Sequence, residues 1–317
     1  MSETRSYSLR RIVRGFFRWF NVLLLPLVLM TAAYVAARDD TRTYLHNLHL
    51  RWGALLLSFC IAAAGLLLAV WVWQQMLSAL GGSKHTFGEH VRVYCYSALG
   101  DLLPGGVWKI VSRSTLYDSR GDNLTIAATA SLTETLVVGT ASMGLYALGT
   151  LLSPRLDILA KPLWGILATL ITLMLIHPRV LGTLVMYLQR RQGKDTAKVQ
   201  YTLPNLLAWM VLEMGVVAIG GGALFTLLNS LTSASLELLL PLITAWAAAS
   251  AAGNLFFWMP GSPILRDGAL LLILTNHIPT SIALGFVVLV RLWSLGSLLL
   301  LAGIAWISAK IQESSPF

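Results

Sequence analysis

Apolar runs separated by short polar or basic connections dominate the chain, at about residues 19–37, 52–80, 124–152, 163–176, 203–228, 236–257 and 278–307. A helix rises about 1.5 Å per residue and needs about 20 apolar residues to cross the hydrocarbon of a bilayer. Most of these runs meet that length. Two segments break the pattern: 89–117, where Asp101, Pro104, Gly105, Gly106, Lys109 and Arg113 interrupt an apolar stretch, and 258–276, which opens on Trp258-Met259-Pro260-Gly261-Ser262-Pro263. The expected fold is all-α, a polytopic integral membrane protein of about seven to eight transmembrane helices with two broken or re-entrant Pro-Gly segments.

Composition agrees with the pattern. Hydrophobic residues make up 56% of the 317 and charged residues 12%, against about 45–50% and 25% in soluble domains. No connection is long enough for a soluble catalytic domain, so the chain reads as one membrane domain over 1–317. Its first half (15–157) holds the broken segment 89–117, its second half (203–310) holds the broken segment 258–276, and 177–202 connects them.

The net charge of +9 is mostly topological. Arg5, Arg10, Arg11, Arg14 and Arg18 precede the first run and place the N-terminus in the cytoplasm by the positive-inside rule. Val35-Ala36-Ala37 resembles a signal-peptidase site, but the run before it exceeds the 7–15 residues of a signal peptide. The connector carries Arg179, Arg190, Arg191, Lys194 and Lys198 against Asp195, which makes it cytoplasmic as well. Both assignments hold only if 89–117 enters and returns, or crosses twice. Lys310 is the only base after Arg291, so the side of the C-terminus stays open.

The misplaced polar residues carry the functional content. Each broken segment has a hydrophobic residue, Pro-Gly, a small residue and then a base at the start of a short amphipathic helix. Thirty residues beyond Pro104, Glu134 interrupts an apolar helix, and thirty-one beyond Pro260, Arg291 interrupts another. This is an internal pseudo-repeat offset by about 156 residues, parallel or inverted. Proline and glycine end a helix and free its terminal carbonyls and amides, which hydrocarbon tolerates only inside protein or beside a wet cavity. The helix starting near Gly106 aims its positive end at that place, and Lys109 and Arg113, four apart, share one of its faces. The pattern points to a basic, donor-rich pocket for an anionic group such as a lipid phosphate. Helix kinks and snorkelling bases are the plainer explanation of each segment alone.

Glu134 sits among small residues, Ala127, Ala130 and Ala141, on a face suited to helix packing. A charge at mid-membrane costs about 2.5–3.5 kcal/mol even on lenient scales. It therefore needs a partner, from Lys109, Arg113, Arg266 or Arg291, in a structural pair or a transport role. Glu213 is also intramembrane by position and is a weaker candidate.

Other chemistry is thin. Cys60 and Cys95 lie in or beside apolar segments and support neither a disulfide framework nor a metal site. The six histidines form no ligand cluster; His85 and His90 flank a turn. Nucleotide-binding loops, zinc-protease helices and nucleophile elbows have no counterpart, so no cofactor is expected. Nucleic acid is not an expected partner. Asn123-Leu124-Thr125 is a glycosylation sequon on the expected cytoplasmic side. Trp19, Trp52, Trp164 and Trp306 read as interfacial anchors.

The segments Leu102-Leu103-Pro104-Gly105-Gly106-Val107-Trp108-Lys109-Ile110-Val111-Ser112-Arg113 and Met259-Pro260-Gly261-Ser262-Pro263-Ile264-Leu265-Arg266-Asp267-Gly268, with the Ala-rich helix around Glu134, resemble the transmembrane flippase-like domain of lysylphosphatidylglycerol synthases and its stand-alone relatives. The resemblance spans roughly residues 15–310. It implies a helical inner-membrane domain with re-entrant segments that moves lipids between leaflets. The matched positions are Pro104, Gly105, Gly106, Arg113 and Glu134, then Pro260, Gly261, Arg266, Asp267 and Arg291. Ser262-Pro263 stands where glycines are more usual and Asp267 where a glutamate is. Synthase members continue into a soluble aminoacyl-transferase domain, and this chain ends at Phe317, so synthesis of the aminoacylated lipid is not expected. The expected partners are membrane lipids. The rival expectations are a non-transporting scaffold for a lipid-modifying or glycosyltransferase enzyme, and an intramembrane enzyme acting on a lipid phosphate, for which no nucleophile or metal set is found.

Overall fold

A computed structural model describes residues 50–102, 107–152, 162–180, 183, 201–259 and 262–314. Pro104, Gly105, Gly106, Pro260 and Gly261, the run at 19–37 with its arginines, and most of the basic connector lie outside the described residues.

Every extended element among the described residues is helical. The helices are α1 (Trp52–Ala79), α2 (Phe87–Ala98), α3 (Val107–Asp118), α4 (Leu124–Leu152), α5 (Pro162–Leu175), α6 (Leu203–Leu231), α7 (Leu239–Leu255), α8 (Ser262–Leu274) and α9 (Thr280–Ser314). Five stretches are long and apolar enough to cross a membrane: α1, α4, α6, Leu236–Leu255 and the Thr280–Ile307 part of α9. The protein is thus a polytopic α-helical membrane protein. The run at 163–176 forms α5, whose 14 residues reach only about 21 Å, short of the 30 Å of hydrocarbon.

Side-chain placement separates a lipid-facing shell from a protein-facing centre. Leu56, Leu57 and Leu67 of α1, Leu170 and Met174 of α5, and Leu299, Leu300 and Ile304 of α9 are exposed, which costs nothing where the solvent is itself apolar. Trp52 and Trp306 are exposed too, as interfacial anchors require. In contrast, α4 buries Ala127, Ala130, Ser131, Glu134, Val137, Thr140 and Ala141, and it is the central helix.

Contacts along the helices fix their directions. The Arg51 N–H donates to the Ser230 carbonyl at 2.8 Å, so α1 starts where α6 ends and the two are antiparallel. Tyr201 Oη donates to the Ile176 carbonyl at 3.2 Å, placing the end of α5 beside the start of α6. We call that end of the bundle, which also holds the turns at 80–86 and 119–123, the proximal end. Gly81 and Gly121, with φ of 88° and 92°, make those two turns, a backbone conformation that costs glycine little. Glycines also let α7 descend against α4, with Ser142 donating to Ser250 Oγ at 3.0 Å. Leu255, the last residue of α7, meets Gly139, midway along α4.

Two antiparallel hairpins follow from these contacts. In the first, His90 and Tyr117 meet near the proximal base at 2.6 Å, Ser97 and Arg113 meet further in at 3.0 Å, and Gly100 lies against the backbone of Trp108 and Lys109 toward the tip. In the second, α7 enters from the distal end and α8 turns back along it, with Arg266 beside Gly253. Each hairpin precedes a long helix, and α9 begins 156 residues after α4, the spacing of the two Pro-Gly breaks. The two hairpins enter the bundle from opposite ends.

Two apolar cores mirror this arrangement. One joins α1, α2, α3, α4 and the start of α6 toward the proximal end, through Trp73, Met76, Leu77, Tyr117 and Leu206. The other joins α6, α7, α8 and α9 toward the distal end, through Leu224, Leu242, Leu270, Phe286 and Trp293.

Close backbone approach generates a test. A Cβ on Gly221 would lie 2.5 Å from the Ile243 Cα, which cannot rotate away. We expect Gly221→Ala to cost about 1–3 kcal/mol, read as a lower unfolding temperature in detergent. Gly215→Ala and Gly222→Ala, with nothing within 4 Å, should leave that temperature unchanged or raise it.

Candidate functional site: a buried base and carboxylate cluster at the first hairpin

The α3 helix presents Lys109 and Arg113 one turn apart, and both reach Glu134 on α4. The Arg113 Nη1 donates to Glu134 Oε2, and Lys109 Nζ lies 3.9 Å from the same oxygen. Tyr94 of α2 donates its hydroxyl to Glu134 Oε1 at 2.7 Å. The Arg113 Nε donates to Ser97 Oγ at 3.0 Å. The guanidinium is stacked between two rings, its carbon 4.4 Å from the Trp73 centroid and 4.1 Å from that of Tyr94. Arg113 and Glu134 are both fully buried, whereas the Lys109 side chain keeps 16% of its surface exposed.

Burial on this scale is tolerated because each charge has several partners: the pair itself, one phenol, one hydroxyl and two aromatic faces. The set is nevertheless incomplete. Among the described residues, Arg113 Nη2 and Glu213 Oε1 are buried without a hydrogen-bond partner. Glu213 lies on α6, 1% exposed, and the charges acting on it are those of Glu134, Lys109 and Arg113.

A second layer holds the hairpin base. Trp73 Nε1 donates to Tyr117 Oη at 2.8 Å, and the same hydroxyl meets His90 Nδ1 at 2.6 Å. His85 Nε2 pairs with Asp122, whose other oxygen accepts the Ser83 N–H at 2.6 Å. Thr86 and Glu89 form a reciprocal capping box that starts α2. His90 accordingly lies inside α2 and is buried; the histidines read as mere flanks of a turn instead tie the hairpin to α1 and to the start of α4. Asn123 Oδ1 accepts the Thr125 N–H at 2.8 Å and helps begin α4.

The residues of the second hairpin form a separate arrangement. Asp267 accepts from Arg291 Nη2 at 2.8 Å, with about a third of each side chain exposed (30% and 32%). Arg266 stacks over Trp246, 4.5 Å from the centroid. Of the four bases named as partners for Glu134, Arg113 and Lys109 reach it, and Arg291 pairs with Asp267 instead.

Sequence reasoning missed Trp73, Tyr94, Ser97 and Tyr117. Tyr94 stands 40 positions before Glu134, and Trp73 belongs to a run in which any large apolar residue would serve, so no local spacing marks either. A residual signal existed in Tyr94 and Ser97, polar groups on the arm that precedes the break.

No family model matches the chain, and no curated protein matches it in sequence.

Two predictions follow from the geometry. Removing one member of a buried ion pair strands the other, at a cost of about 3–5 kcal/mol. Arg113→Met or Glu134→Met should each unfold at clearly lower temperature, and the double variant should recover a large part of the loss in a double-mutant cycle. Outside the spans, burial pushes the Asp122 carboxyl up, but the Ser83 N–H and His85 outweigh it and hold the carboxyl below its usual range. A lowered carboxyl stabilises the fold above the unfolded-chain value, about 3.9 for Asp, and that stability is lost as pH falls through the folded value. Unfolding scans should therefore show the parent losing stability below about pH 4, and Asp122→Asn should be less stable at pH 7 with a shallower acid limb.

Proposed function

We propose that the protein is a lipid flippase-like transporter of a bacterial inner membrane, with its N-terminus in the cytoplasm and about seven to eight transmembrane helices. In this reading 19–37, α1, α4, α5, α6 and α9 cross fully, and Leu236–Leu255 is counted as the seventh because it enters the membrane as the first arm of the second hairpin. The two hairpins are re-entrant, the first from the cytoplasmic face and the second from the opposite face. A transport cavity lies between the inverted repeats. The anionic headgroup of a lipid is held by Lys109 and Arg113 in one half and by Arg266 and Arg291 in the other, with Glu134 and Asp267 balancing the bases when no lipid is bound. The Pro104-Gly105-Gly106 and Pro260-Gly261 breaks, which lie outside the described residues, are assigned to the same headgroup site.

The observation that carries the reading is donor capacity left over inside the bundle. Arg113 Nη2 has no hydrogen-bond partner among the described residues, and Lys109 holds Glu134 only at 3.9 Å and remains part exposed. A purely structural pair has no use for a second base at its edge. The resemblance to the flippase-like domain of lysylphosphatidylglycerol synthases supports the same assignment.

Proteoliposomes of phosphatidylcholine with a trace of acyl-labelled phosphatidylglycerol test it, with movement between leaflets read by dithionite quenching. Lys109→Gln leaves the Arg113–Glu134 pair in place and should slow lipid movement at least tenfold while the unfolding temperature stays near that of the parent. Transport by Lys109→Gln at the parent rate would remove the headgroup assignment, and a parent that moves no lipid would remove the transport reading.

A further inference from the structure

Glu213 has no role in the reading above, and it is the most conspicuous unused group in the molecule. It is one of two carboxylates, with Glu134, that act on a pair of bases, Lys109 and Arg113. Glu134 takes both bases and the Tyr94 hydroxyl. Glu213 is as deeply buried, yet its Oε1 has no hydrogen-bond partner among the described residues. It stands on α6, which packs against α1, α4 and α7. The titratable and charged groups whose charges reach it are Glu134 of α4 and Lys109 and Arg113 of α3, and its own charge reaches Tyr94 of α2.

We propose that Glu213 is a proton-binding site linked to the anion site: a phosphate-bearing anion occupies Lys109 and Arg113 only when Glu213 carries a proton. The inference rests on the lipid-headgroup reading and adds the proton as a second ligand. With Glu213 ionised, two bases and two carboxylates already sum to zero, and a bound phosphodiester would leave one unbalanced negative charge in a medium of low dielectric constant. With Glu213 protonated, the site holds one net positive charge, and the anion neutralises it. The protonated carboxyl gains a second property. Its O–H is a donor without an assigned acceptor, so the group that repels the anion when ionised donates to it when neutral. Proton and anion therefore bind with positive coupling, and each raises the affinity for the other by the same factor.

Linkage sets the expected behaviour. Anion affinity is flat with pH while Glu213 is neutral in the free protein, and falls about tenfold per pH unit where it is ionised there but must be protonated in the complex. The test uses the full chain in detergent, titrated calorimetrically with dihexanoyl-phosphatidylglycerol between about pH 6 and pH 9.5. At each pH, two buffers of different ionisation enthalpy are used, so that protons taken up per anion are counted on the parent protein itself. Uptake should rise toward one proton per anion as affinity falls. Glu213→Gln, the same shape without the charge, should bind the anion with a flatter pH dependence and take up none. Dimethyl phosphate, a phosphodiester without tails, is titrated in parallel and should bind at least tenfold more weakly.

Zero proton uptake by the parent across the range, unchanged uptake in Glu213→Gln, or no anion binding by the parent would each overturn the proposal. Equal binding of dimethyl phosphate would overturn the lipid as the source of the anion. The transport reading fails separately: a parent that binds the lipid with a proton yet moves none in the proteoliposome assay keeps the linkage and loses the flippase assignment. A parent that moves lipid without proton uptake does the reverse.

Discussion

The interaction on which the rest of the structure depends is the buried pair of Arg113 and Glu134. A guanidinium and a carboxylate inside hydrocarbon are tolerable only when protein surrounds them, and the surroundings are supplied in layers. The small residues Ala127 and Ala130 on α4 let the first hairpin approach closely. Trp73 and Tyr94 cover the two faces of the guanidinium, and Ser97 and the Tyr94 hydroxyl take hydrogen bonds that the pair leaves over. The second layer of Tyr117, His90, His85 and Asp122 holds those aromatic residues by holding the hairpin base to the α1–α2 turn. Remove the charge pair, and this polar scaffold has nothing to enclose.

The two hairpins enter from opposite ends of the bundle and differ in detail. The first places its ion pair in a fully enclosed setting, while the second leaves Asp267 and Arg291 about a third exposed. Arg266 stacks on one aromatic face where Arg113 stacks on two. The carboxylate also changes position: at the first hairpin it is on the long helix and the base on the hairpin, and at the second the long helix carries the base, Arg291, and the hairpin the acid, Asp267. An exchange of this kind preserves a bridge between hairpin and long helix, since attraction does not depend on which side bears which sign.

Much of the architecture was legible along the chain, because hydrocarbon imposes a length and a composition on any helix that crosses it. The bounds of α1, α4 and α6 lie within three residues of the apolar runs. After Pro104 and Pro260 new helices were expected, and α3 and α8 begin within three residues of them. That Lys109 and Arg113 share a face followed from helical spacing, and the need of Glu134 for a base followed from the cost of an unpaired charge. The aromatic and hydroxyl partners did not follow, since Trp73 and Tyr94 come from helices other than α3 and α4. Their residue types are ordinary in membrane helices.

By itself the sequence determined that this is an α-helical membrane protein, because that property is set by local hydropathy, backbone chemistry and spacing. Tertiary structure alone decided that the hairpins enter from opposite ends, that Arg113 rather than Arg291 neutralises Glu134, and that Glu213 is buried where the charges of the same bases reach it. Each of these depends on which helices pack together and at what depth, and a run of apolar residues carries no label for its neighbour.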